Sequence, residues 1–141
     1  MKLANEEILT WLYDQLGNSV TVNGNTWEYY SDPPENSPDR YIWADVTILE
    51  EQGTKQDFMA NYLLEVTLVD KHSRNFTSKK PLYEVANKIS EVIALRNGEV
   101  DLTDFKILAR NFDSFTYSKE IESGEVRHVG KANFIILAEQ K

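Results

Sequence analysis

Apolar residues recur along this chain in two rhythms, one helical and one alternating. Ile8, Leu9, Trp11, Leu12, Tyr13 and Leu16 fall on one side of a 3.6-residue period. They predict a helix over residues 3–16, stopped by Gly17-Asn18. Leu82, Val85, Ala86, Ile89, Val92 and Ile93 form a single stripe of the same period. They predict a second helix over residues 81–96, with Pro81 suited to its first turn and Asn97-Gly98 to its exit. The alternating rhythm marks two long strands. Ile42, Ala44, Val46 and Ile48 share one face of residues 41–49, and Tyr62, Leu64, Val66 and Leu68 share one face of residues 61–69. The polar stretch between them makes an antiparallel pair. Earlier, Val20-Thr21-Val22 and Thr26-Trp27-Glu28-Tyr29 flank Asn23-Gly24-Asn25, the chemistry of a tight hairpin.

The last third predicts two more strands, residues 105–112 and 132–138, with residues 129–131 leading into the second. Residues 113–125 are polar except for Phe115, Tyr117 and Ile121, and Glu122-Ser123-Gly124-Glu125 has turn composition. A solvated loop has little reason to hold three large apolar groups. The expectation is an arm that continues the flanking strands or orders on a neighbouring subunit. The fold class is therefore α+β, mainly an antiparallel sheet with an N-terminal helix and a second amphipathic helix packed on the sheet. At 141 residues, the length fits one domain over 1–141.

Residues 31–39 carry three prolines, which bar a helix and a central strand there. Tyr29, Tyr30 and Tyr41 flank this stretch. Amphipathic aromatics beside a stiff loop suit a protein interface. Tyr29, Tyr30, Pro33, Pro34 and Tyr41, with Phe115 and Tyr117 of the arm, are the candidate interface residues. Trp11, Trp27 and Trp43 are assigned to the core.

Composition narrows the function by exclusion. The formal net charge is −8, and the basic clusters Lys79-Lys80 and Arg127-His128 with Lys131 are short. That balance opposes gripping a phosphate backbone. There is no cysteine, hence no disulfide framework and no thiolate metal site. No apolar run reaches the length of a membrane span, and the first residues are not a secretory signal. His72 and His128 lie in polar contexts outside any metal spacing and are expected at the surface or a strand edge. The many carboxylates are expected on solvated faces, while Asp45 and Glu65, inside strands, are expected to mark the solvent- or subunit-facing side of the sheet. No nucleophile elbow, Gly-rich phosphate loop or redox pair is present in the sequence. The reading is a protein without catalytic residues, cofactor or metal, acting by assembly.

The order of elements, with several local patterns, resembles the tail terminator (tail completion) proteins of tailed bacteriophages, small components of siphophage-like neck modules. The patterns are the N-terminal helix, the hairpin leading to Tyr29-Tyr30-Ser31-Asp32-Pro33-Pro34, and the strand opening on Arg40-Tyr41-Ile42. They continue in Tyr62-Leu63-Leu64-Glu65-Val66, which leads on to the helix from Leu82 to Ile93, and in Gly124-Glu125-Val126-Arg127-His128 before the final strand. The segment before that strand is longer and more polar than the family pattern. The resemblance implies a self-assembled ring, usually a hexamer, that caps the tail tube and joins it to the head connector or adaptor. It implies DNA passing through an acidic lumen without specific binding, no membrane, and a place in the virion tail or neck after assembly in the host cytoplasm. A ligand-binding or scaffold α+β domain of a bacterial cell, with an apolar pocket between helix and sheet, is the alternative. An enzyme whose site assembles only in three dimensions is a third class.

Overall fold

The computed structural model describes residues 3–35, 38–52, 59–73, 78–94, 98–122 and 124–141. The first helix, α1, spans Asn5–Leu16 and buries Ile8, Trp11, Leu12 and Leu16, the stripe that the helical period requires. It ends where Gly17 takes φ +70°, a conformation that glycine adopts without strain, and the Gly17 amide donates to the Tyr13 carbonyl at 2.8 Å. The second helix, α2, spans Lys80–Ala94 and buries Leu82, Val85, Ala86, Ile89 and Ile93. The expected last turn, through Arg96, lies outside the described residues.

Among the described residues, seven strands form one sheet: β1 (Ser19–Val22), β2 (Asn25–Tyr30), β3 (Arg40–Gln52), β4 (Met59–Ser73), β5 (Val100–Asp101), β6 (Phe105–Glu122) and β7 (Glu125–Gln140). Their spatial order is β1-β2-β3-β4-β7-β6-β5. Every pairing is antiparallel except β2 with β3, which run parallel over three residue pairs from Glu28↔Tyr41 to Tyr30↔Trp43. The proline-containing stretch 31–39 therefore carries the chain back to the start of β3. Its last carbonyl, on Asp39, accepts from the Lys71 amide at 2.7 Å and extends the β3–β4 ladder.

Four strands run longer than their apolar rhythm alone defines. The longest extension is at residues 113–125. They are not a separate loop: β6 runs unbroken to Glu122 and β7 begins at Glu125, with Gly124 at φ +76° in the tight turn. The expectation that the flanking strands continue is met. They do not extend alone, because β4 stays paired to β7 as far as Ser73↔Glu125.

Both helices lie on one face of the sheet, over Ile42, Leu64, Val66, Leu68, Phe134 and Ile136. That face curls round α2. Tyr83 and Glu84 are adjacent on the helix, yet Tyr83 packs on Phe115 of β6 with ring centroids 5.5 Å apart, while Glu84 accepts from Asn23 in the β1–β2 turn. Four strands separate β1 from β6 in the sheet order. One helical turn can touch both only if the sheet bends into a trough. At the far end α1 ties to the sheet rim: the Asn5 amide donates to the Val46 carbonyl at 2.7 Å, and the Glu7 carboxylate accepts from the Asp104 amide at 2.8 Å.

Candidate functional site

The concave face is apolar in the middle and polar at the end that carries the β6–β7 turn. Register builds that end. Arg40 of β3 stands opposite Asp70 of β4, Asp70 opposite His128 of β7, and His128 opposite Lys119 of β6. Asp70, only 1% exposed, is held by the Arg40 guanidinium at 3.2 Å and by His72 Nε2 at 2.7 Å. His128, also 1% exposed, shares a 2.5 Å hydrogen bond through Nδ1 with the Tyr117 hydroxyl. The Lys79 ammonium, at the foot of α2, sits 4.2 Å above the Tyr117 ring. Burial, then the neighbouring Tyr83, push the Tyr117 phenol above its usual range.

The expectation that both histidines lie at the surface or a strand edge fails for His128, which is 1% exposed and paired on both sides. Both lie on the concave side of their strands, His128 buried beside Asp70 and His72 bonded to it, because each shares strand parity with the apolar residues before or after it. A buried charge needs partners, and Asp70 has two. The cluster ties β3, β4, β6 and β7 together across the end of the trough. No group of three metal-ligating side chains occurs among the described residues.

The convex face carries no helix among the described residues. Its central strands still present apolar side chains: Trp43, Leu63, Ile135 and Leu137 are half-buried, and Val69 is buried by its neighbours. Asp45 is exposed and Glu65 half-buried on this same face, directly opposite each other. Like charges so placed repel. Among the described residues, Glu65 alone of the two has a nearby cation, the Lys131 ammonium at 3.7 Å.

The structure divides the aromatic candidates between the two faces. Tyr29 turns inward against the core, its ring 5.6 Å from Tyr13, and burial raises its phenol pKa. Tyr30 and Tyr41 turn outward and meet edge to face at 6.3 Å. Tyr41 is only 7% exposed, so it supports this aromatic corner more than it presents a surface. Tyr30 donates to the Glu28 carboxylate at 2.8 Å, a bond that raises its pKa. Pro33 is exposed and Pro34 half-buried. Phe115 and Tyr117 face the concave side, where Phe115 packs on Tyr83. Tyr29, Tyr30 and Tyr41 thus do not form one patch: alternate residues of a strand point to opposite faces. Of the three tryptophans, Trp11 and Trp27 are core, whereas Trp43 lies on the convex face.

The two flanks of the sheet also differ. Where β3 runs beyond the reach of β2, the Val46 amide donates to its neighbour Asp45 and the Val46 carbonyl accepts from Asn5, so side chains plug that edge. β6 pairs with β5 only at Lys106 and Ile107. From Leu108 to Glu122 no described strand lies on its outer side. An open groove of about 520 Å³ between α1 and residues 101–103 is lined by Glu6, Glu7, Asp14 and Asp101. No helix among the described residues is long and apolar enough to cross a membrane. No protein-family model matches the chain, and no curated protein matches it either.

Proposed function

We propose that this protein is a structural component of the bacteriophage neck, a ring of identical subunits that caps the tail tube and joins it to the head connector. The observation that supports this reading most is the convex face. An antiparallel sheet that leaves one face to water usually makes that face polar, whereas here the face without a helix among the described residues holds Trp43, Leu63, Ile135 and Leu137. Such a face suits a neighbouring subunit or the rim of a tube. The exposed like-charge pair Asp45 and Glu65 suits a partner that brings cations to it.

The rest of the chemistry is compatible with assembly. Subunits of a ring meet head to tail, so two different patches must fit each other. The convex face, with the aromatic corner of Tyr30 at its margin opposite Trp43, would supply one of the two. Each copy brings a formal charge of −8, and an acidic lumen lets DNA slide without adhering. Negative-stain microscopy of tail tubes mixed with the purified protein tests the proposal. The expected image is a sixfold ring at one end of each tube. Tubes that stay uncapped at saturating protein would overturn it.

A further inference from the structure

We propose that two copies of this chain pair edge to edge through residues 115–121 of β6, related by a two-fold axis at Ser118. The inference does not rest on the neck reading. It starts from an edge on which no described strand lies. Past the bulge between Phe112 and Ser114, β6 is regular up to the turn, without proline or glycine. An edge of that length is a template for another strand.

The hydrogen-bond phase follows from the hairpin. Glu122 and Glu125 face each other across two residues, so that pair exchanges ladder bonds and the bonded pairs then alternate. Phe115, Tyr117, Lys119 and Ile121 consequently point their backbone groups outward. The first partner to consider for an open strand is its own copy, and the side chains favour one register. With the axis at Ser118, Ile121 stands opposite Phe115 of the second copy, and Lys119 opposite Tyr117. On the other face Glu120 stands opposite Thr116.

This register covers Ile121, which is 59% exposed in the single chain, with an aromatic ring. It places no like charges directly opposite. A slip by one bonded pair in one direction sets Lys119 against Lys119. The same slip the other way sets Ile121 against Asp113 in the bulge. The occupant is therefore a second copy in a single antiparallel register, with both concave troughs on the same side of a continuous sheet. Such a pairing buries less than the roughly 800 Å² per partner of a standard interface. It should be reversible, with a dissociation constant on the order of micromolar.

The chain has no cysteine, which makes the test clean. In the proposed dimer the two Ser118 residues form a non-hydrogen-bonded pair with Cα atoms about 4.5 Å apart, within disulfide reach. Ser118→Cys should cross-link to twice the 16.3 kDa chain mass under mild oxidation. Ser114→Cys, far from the axis, should not. Lys119→Pro removes an outward amide and spares the β7 ladder, so it should keep its melting temperature and abolish the concentration-dependent dimer in sedimentation. If Lys119→Pro fails to fold, the two cysteine variants decide. A chain that sediments as a monomer at every concentration overturns the pairing. So does equal cross-linking at both positions, or a dimer that survives Lys119→Pro. Assembly to a higher mass without the Ser118→Cys cross-link overturns it too, and leaves the neck reading standing.

Discussion

The two faces of the sheet are built from the same strands and have opposite characters. On the concave face every central position is buried and the helices fill the trough, with Leu64, Val66, Leu68, Ile89 and Ile93 closed to solvent. On the convex face, one residue along each strand, side chains of similar type stay half-covered. The difference separates the side that folds the chain from the side we propose for a partner. Over β3, β4 and β7 the concave face is closed within one molecule, and the convex face is not.

The sharpest way to break that comparison is to charge the concave side. Ile89→Asp places an unpartnered carboxylate at a position with no exposure. It should leave no cooperative melting transition by circular dichroism, and a well-folded variant would refute the helix-on-sheet assignment. A smaller effect is expected at Gly130. A Cβ there would come 2.6 Å from the Phe115 ring and 3.2 Å from Leu82. Gly130→Ala should cost about 1–3 kcal/mol in denaturant unfolding, because Phe115 is held against Tyr83 of α2 and Leu82 is buried in that helix.

The smallest effect is one of pH. Burial raises the Tyr29 phenol pKa above its ordinary 10.0, and Tyr117 shifts the same way. The folded state then holds its protons more tightly than the unfolded chain does. That stability is fully present below about pH 10 and is lost as pH rises through the folded value. Melting temperature should be flat from pH 8 to 10 and fall above it. Tyr29→Phe should shallow that fall, because phenylalanine does not titrate.

The helices and the strands β3 and β4 were legible because their apolar periods are uninterrupted. The concave rhythm of β6 is broken twice, at the bulges after Ile107 and Phe112. Parity slips at each: Phe105 and Ile107 face inward, then Arg110 and Phe112, then Phe115 and Tyr117. A strand read by strict alternation therefore ends early, and its second half resembles a loop. The parallel pairing of β2 with β3 was hidden for another reason. It covers three residue pairs and is decided by where the proline stretch delivers the chain.

The candidate interface was legible in residue type and not in side. Aromatic residues around residues 31–39 were visible, but only the register shows Tyr29 facing inward while Tyr30 and Tyr41 face outward. The buried Asp70–His128 row was invisible for the same reason. Its members are 58 residues apart in sequence and meet only when β4 and β7 pair. The one signal available was that both residues share strand parity with apolar neighbours, Leu68 for Asp70 and Val126 for His128.

The central proposal is that the convex face serves assembly while the concave face serves folding. It is tested most directly by the doubly substituted chain Ile135→Ser, Leu137→Ser, imaged with tail tubes beside the parent protein. Both side chains are half-buried on the convex face, so each change should cost about 1 kcal/mol and leave a folded subunit. The account predicts a cooperative melt only a few degrees below the parent's, together with loss of rings from the tube ends. Rings that form on the tubes as well as the parent's do would contradict it.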